Sequence, residues 1–315
     1  MNLAWSDVRR DLQVALIQFS DDLRIVLGGS RGHNCQSDFL GFDTPSGAFA
    51  SELIDVDDFE TQVDLSRYEI SAHCRRLFEL IAEPESTPIE NVADLGVHRD
   101  HLNHFLEIVR RSSLVGNDYD RAALWETLNQ ASSYIAFADA ALRAMTEDER
   151  SEELFDLTND DLARVGGVQS AYVRNSTSPT KGRIRSEPQR KAIKKAGHDI
   201  RSFVRLNTVD AIEWLATLRR FRRGRLSAPA IDLCIRRART ADQLGRIAGV
   251  AGWINIGATE RIADTLCWPV EKVIRWVRSG DFEAPDDAFA WGNALGIDGD
   301  LYAAKIFAFN HPTSR

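Results

Sequence analysis

Side chains that form paired hydrogen bonds crowd into one short stretch, residues 168–178 (VQSAYVRNSTS): Gln169, Ser170, Tyr172, Arg174, Asn175 and Ser178. Gln and Asn offer a donor beside an acceptor, the pattern that matches an adenine edge, and the Arg fork matches guanine. The residues between them are short, as a surface entering a groove requires. Downstream, Lys181, Arg183, Arg185, Arg190, Lys191, Lys194 and Lys195 are followed by Arg219, Arg220, Arg222, Arg223 and Arg225. Such cations hold phosphates, which supply affinity and register but no sequence information. Base-reading groups beside phosphate-holding ones predict double-stranded DNA as the partner.

The charge distribution points the same way. The chain of 315 residues has a net charge of -8. Residues 1–157 carry 13 basic and 30 acidic side chains, whereas residues 181–239 carry 17 basic and 5 acidic. An excess of that size in one segment of an acidic chain suits a polyanionic partner rather than a merely solvated face.

The elements that must position these residues are two short helices around Gly166-Gly167. Thr158 precedes Asn159, Asp160 and Asp161, so the first helix has a cap and acids that suit its dipole. Leu162, Ala163 and Val165 supply its inner face, Gly167 the tight turn, and Val168 and Val173 the lock of the second helix. Gln169, Ser170, Ala171, Arg174, Asn175 and Ser178 then point outward. Residues 208–221 (TVDAIEWLATLRRF) predict another helix packed on this pair.

At these residues the chain resembles the helix-turn-helix superfamily of bacterial and phage regulators, over about 20 residues. It departs from that pattern at Gly166, where an aliphatic residue is usual. The order of helix-turn-helix, basic connector and a DAIEWL-type helix is similar to modules of the excisionase and winged-helix sort, with a longer connector than a simple wing. The resemblance implies a sequence-specific transcriptional regulator that reads the major groove with helix 168–176 and holds phosphates with segment 181–225. An architectural or mobile-element protein (excisionase, partition or small-terminase-like) and a protein-binding adaptor are the alternatives.

A related pattern returns in residues 258–278 (ATERIADTLCWPVEKVIRWVR). Ala263, Leu266, Val273 and Trp276 take the small and apolar roles, Cys267 stands in the turn, and Pro269 suits the first turn of the following helix. Residues 258–298 resemble lambda-repressor-like domains. Lys272, Arg275 and Arg278 are a candidate second DNA site, although Glu271 and Ile274 share their face and suit a protein partner equally well. Trp268, Trp276, Trp291, Phe307 and Phe309 read as core, and residues 301–309 as its cover or a subunit contact.

The acidic first half predicts helices over residues 7–27, 59–81, 89–109 and 122–145, with a long loop over 33–51. Thr146 with Glu149 fits a capping box that starts a further helix, and residues 251–257 (AGWINIG) predict a turn. Gly28-Gly29-Ser30-Arg31-Gly32 lacks the spacing of a phosphate-binding loop. His98, His101 and His104 are spaced like metal ligands, but the third turns off the face of the first two, and surface histidines with no metal are expected.

The fold class expected is all-α and multi-domain: an acidic domain over 1–155 for oligomerisation or partner binding, a helix-turn-helix with basic extension over 156–228, and a helical domain over 229–315. Cys35, Cys74, Cys234 and Cys267 form no CxxC pair, which predicts free thiols in a reducing compartment, the cytoplasm near the nucleoid. The N-terminus does not read as a signal peptide, and no apolar run predicts a membrane span. No grouping of nucleophile, base and orienting residue predicts an enzyme, and no cofactor is expected. Besides DNA, the expected partners are a second copy in a homodimer and RNA polymerase or another regulator.

Overall fold

A computed structural model describes residues 3–46, 48–54, 56, 58–112, 121–147, 154–177, 182–186, 204–280 and 284–310. In chain order the elements are α1 (Trp5–Leu27), α2 (Gly29–Leu40), α3 (Glu69–Ala82), α4 (Ile89–Val92), α5 (Gly96–Ser112) and α6 (Ala122–Thr146), then β1 (Phe155–Thr158), α7 (Asn159–Val165), α8 (Ser170–Ser176), β2 (Arg205–Asn207) and α9 (Thr208–Ala216). They continue with α10 (Ala228–Arg237), α11 (Ala241–Asn255), α12 (Thr259–Leu266), α13 (Val270–Ser279), α14 (Pro285–Leu295) and α15 (Gly299–Asn310). The fold is all-α, with one two-stranded ladder among the described residues. No described helix is long and apolar enough to cross a membrane.

The chain divides into two compact units: residues 1–82 with 95–132, and residues 83–94 with 133–315. The division falls inside α6 rather than at residues 155 and 228.

In the first unit, α1 buries Val8, Leu12, Ala15 and Leu16, the face set by its apolar spacing. The expected loop over 33–51 is in part helix, since α2 occupies 29–40. Its sequence, GSRGHNCQSDFL, has little intrinsic preference for helix. Tertiary hydrogen bonds hold it. Buried Gln36 donates to Ser20 Oγ at 3.3 Å and to Asp21, and accepts from Arg24 at 3.3 Å. Asp21 also accepts from the Ala50 and Ser51 amides at 2.9 and 3.0 Å.

The helix expected over 59–81 begins only at Glu69. Upstream, the Asp64 side chain accepts from the Ser66 amide at 3.0 Å and the Ser66 hydroxyl at 2.8 Å, diverting the backbone into a 3-10 turn, Leu65–Arg67. The helix expected over 89–109 is likewise split into α4, a short 3-10 turn and α5. Glu149, the partner of Thr146 in the expected capping box, lies in segment 148–153, outside the described residues. Thr146 itself is the last residue of α6, and its hydroxyl donates to the Leu142 carbonyl at 2.8 Å.

In the second unit α11 runs through the expected 251–257 turn as far as Asn255. Gly252 serves close packing, because a Cβ there would lie 2.9 Å from Ile262 Cδ1 of α12. Around α11 the tryptophans assemble. Trp276 and Trp291 stack at 5.9 Å between centroids, and Trp276 Nε1 donates to Tyr302 Oη of α15 at 2.9 Å. Helix α15 thus covers this core as one of its two expected roles required, but Phe307 is 61% exposed and is not part of it.

Candidate nucleic-acid interface

The stretch expected to read bases is a tight two-helix hairpin. Thr158 caps α7: its Oγ1 accepts from the Asp161 amide at 3.2 Å, and Asp161 accepts from the Thr158 amide at 3.1 Å. After Gly166, Gly167 takes a left-handed conformation (φ 62°), and the Val168 amide donates to the Ala163 carbonyl at 2.9 Å. Gln169 is the extended N-cap residue of α8. Leu162, Ala163, Val165 and Val173 are buried.

The Gly-Gly pair is explained by α9. A Cβ on Gly166 would sit 2.8 Å from Leu218 Cδ1, 3.0 Å from Leu215 Cδ2 and 2.9 Å from the Leu162 carbonyl oxygen. The aliphatic residue usual at this place in helix-turn-helix proteins does not fit here. A Cβ on Gly167 would meet Arg220 Cβ at 3.2 Å, so the arginines after α9 lie beside the hairpin turn.

The strand before the hairpin is joined to the strand before α9. Leu157 pairs with Leu206 and Thr158 with Arg205, antiparallel, and Leu206 also forms an antiparallel bridge with Ser186. The Asn207 amide donates to the Arg185 carbonyl at 2.8 Å, and the Thr208 amide to the Leu154 carbonyl at 2.8 Å. Segment 205–207 is therefore flanked on both sides. Asn207 Oδ1 caps α9 by accepting from the Asp210 amide at 3.0 Å. Strands this short and polar carry no alternating pattern and went unseen in the sequence.

The hairpin sorts the candidate base readers. Gln169, Arg174 and Asn175 are exposed, and among the described residues nothing hydrogen-bonds or ion-pairs with the Arg174 guanidinium or the Asn175 amide. Ser170 is engaged internally, its hydroxyl donating to Asp160 Oδ1 at 2.9 Å. Tyr172 is half exposed, with its ring 5.9 Å from that of Trp214. Ser178 lies outside the described residues.

The expected phosphate-holding cations also divide. Arg183, Arg219, Arg220, Arg222 and Arg225 are exposed. Arg185 is held by Asp210 through a two-pronged contact of 2.7 and 3.1 Å. Arg223 donates to the Ile256 carbonyl and so belongs to the packing of α11. Lys181, Arg190, Lys191, Lys194 and Lys195 lie outside the described residues. Arg164 of α7, which residue type and spacing did not single out, is exposed as well.

The second hairpin repeats the turn of the first, with its residues displaced by 100. Ala263 accepts from the Trp268 amide at 2.9 Å, Cys267 takes the left-handed turn (φ 54°), Pro269 is the extended N-cap residue and Val273 is buried. The outer face of α13 differs. Lys272 pairs with Asp287 at 2.7 Å and lies over the Trp268 ring at 4.3 Å, and Arg278 pairs with Glu213 of α9 at 2.9 Å. Glu271, Ile274 and Arg275 are exposed.

Elsewhere, His101 and His104 are exposed, in line with the reading of surface histidines, whereas His98 is half-buried. His98 and His101 meet His73 of α3, a residue that no local spacing groups with them: its ring centroid lies 4.8 Å from that of His98 and 4.4 Å from that of His101. Among the described residues no group of three or more His, Cys, Asp or Glu side chains is arranged to hold a metal ion. Burial pushes the Cys74 and Cys234 thiols up to about 12 and about 11, so both stay protonated at neutral pH.

No family model, no curated protein and no solved structure matches this chain.

Proposed function

We propose that this protein is a sequence-specific double-stranded DNA-binding regulator, of the bacterial or phage-derived helix-turn-helix kind, and that α8 is its base-reading helix. One observation carries the proposal: Gln169 at the N-cap and Arg174 and Asn175 on the short helix it opens stand exposed, with the Arg174 and Asn175 side chains unengaged among the described residues. Groups that pair with base edges must be free to do so, since a donor already satisfied within the protein gains little by exchanging partners. Support also comes from the ladder. It sets Ser186 beside Leu206, and the Ile184 amide donates to the Ser176 carbonyl at the end of α8 at 3.1 Å, so Arg183 and Arg185 flank a residue anchored to the base-reading helix.

In this proposal Arg164, Arg183, Arg219, Arg220, Arg222 and Arg225 hold phosphates, and Arg185 braces the ladder through Asp210. The acidic first unit serves self-association and protein contacts, RNA polymerase or another regulator among them, in the cytoplasm at the nucleoid. Lys272 and Arg278 are paired within the protein, which makes α13 the poorer reader.

The test is enrichment of bound duplexes from a random pool by the full chain, followed by binding of the enriched duplex across a salt series. The expected result is a recurring sequence and a log–log salt slope of about -4 to -6, given ~0.9 per phosphate neutralised. No enrichment together with no binding at low salt would favour the adaptor alternative. Strong binding without a preferred sequence would favour an architectural protein.

A further inference from the structure

Helices α3 and α5 of the first unit meet at three imidazoles. His73 is 8% exposed, and its Nδ1 lies 2.5 Å from Nδ1 of His98. At that separation one nitrogen carries the hydrogen and the other accepts it; two N–H groups cannot face each other there. On the far side of the ring, His73 Nε2 is buried without a hydrogen-bond partner, and Glu69 Oε1 is 3.8 Å away, beyond hydrogen-bonding reach. His101 stacks on His73 from one helical turn further along α5.

A first proton can be taken on an Nε2 without disturbing the shared hydrogen. A second must go to the accepting Nδ1, which puts two hydrogens and two positive charges into the 2.5 Å gap. We propose that the His73–His98–His101 cluster is a proton-operated latch on the α3–α5 seam, closed while the imidazoles are neutral and released when His73 and His98 both carry charge.

The surrounding charges do little to hold those protons. Glu69 favours the charged His73, whereas Arg76 opposes charge on His98 and the histidines oppose one another. Other charges on the two helices are engaged: Arg75 with Glu79, Arg99 with Asp100, and Arg110 and Arg111 with Glu107. On the neighbouring α1, Asp11 accepts from the Ala123 and Leu124 amides and Asp21 from those of Ala50 and Ser51, and Asp22 is buried. Arg67, in the turn before α3, donates to the Asp38 carbonyl. His104 is exposed.

Desolvation first, then neighbouring positive groups, lower the pKa of both His73 and His98 below the ordinary 6.5. The opened seam therefore takes up protons before the closed one. The latch is at full strength above about pH 6.5 and weakens as the pH falls below it.

Hydrogen exchange on the full chain at pH 7.5 and 5.5, corrected for the intrinsic pH dependence of exchange, tests the latch. The expected result is loss of protection at pH 5.5 in peptides from α3 and α5, relative to peptides from α6. His98→Asn keeps a hydrogen-bonding group but cannot charge, and His73→Gln does the same from the other helix; each should flatten the acid response. An acid response unchanged in both variants, or absent from the unmodified chain, would overturn the proposal. Added zinc chloride that protects α3 and α5 at pH 7.5, in a chain with no acid response, would assign the cluster to metal binding instead.

Discussion

The two hairpins of the second unit, α7–α8 and α12–α13, share a backbone plan and differ in what their outer helices have left to offer. Each closes its turn with an amide-to-carbonyl bond of 2.9 Å, Val168 to Ala163 and Trp268 to Ala263. Each puts a left-handed residue in the turn and buries a valine three residues into the second helix. On α8, Arg174 and Asn175 have no partner among the described residues. At the equivalent places α13 has Ile274 and Arg275, and the cations beside them, Lys272 and Arg278, are paired with Asp287 and Glu213. A shared backbone therefore does not imply a shared task; the side chains left unsatisfied decide it.

The turns differ for a reason that can be tested. Gly166 is squeezed between Leu215, Leu218 and the Leu162 carbonyl, whereas Leu266 stands at the matching place in the second hairpin. Gly166→Leu, which makes the first turn like the second, should crowd Leu215 and Leu218 and cost ~1–3 kcal/mol of stability in denaturant unfolding. A cost under ~1 kcal/mol would mean that α9 does not press on this hairpin.

Smaller effects sharpen the comparison at the helix starts. Thr158 caps α7 with its side chain, whereas Ala258 before α12 makes no side-chain cap. Thr158→Ala should cost ~1 kcal/mol, and Ala258→Ser should gain a few tenths to ~1 kcal/mol, both read from unfolding midpoints. The same loss in both variants would show that capping does not separate the hairpins.

The smallest effect concerns the turn residue itself. Cys267 holds a left-handed conformation that suits glycine, so Cys267→Gly should leave stability unchanged or raise it by up to ~1 kcal/mol. Gly167→Ala should lower it by ~1 kcal/mol, since the new Cβ is strained and also meets Arg220. Thermal unfolding of the pair reads the sign directly.

Local signals foretold part of this. The dense apolar spacing of α6, the capping residues of α7 and the paired turn were legible because each is written within a few consecutive residues. Helix α2 was not, because buried Gln36, Ser20 and Asp21 hold a sequence whose own preferences favour a loop. The ladder was hidden for a similar reason: Leu157 and Leu206 pair across about fifty residues, in strands too short to alternate. Of the candidate site, residue types and spacing gave the outward face of α8. They could not reveal that Ser170, Arg185, Arg223, Lys272 and Arg278 are occupied by Asp160, Asp210, the Ile256 carbonyl, Asp287 and Glu213. Those partners are ten or more residues away. The meeting of His73 with His98 and His101 was out of sight for the same reason.

The most direct test of the division of labour compares two matched double variants of the full chain on the enriched duplex at one salt concentration. Arg174→Ala with Asn175→Ala removes the outward groups of α8; Ile274→Ala with Arg275→Ala removes their counterparts on α13. The first should lose ~2–6 kcal/mol of specific binding, at ~1–3 kcal/mol per base contact, and the second less than ~1 kcal/mol. Equal losses, or a larger loss from the α13 pair, would contradict the assignment of base reading to α8.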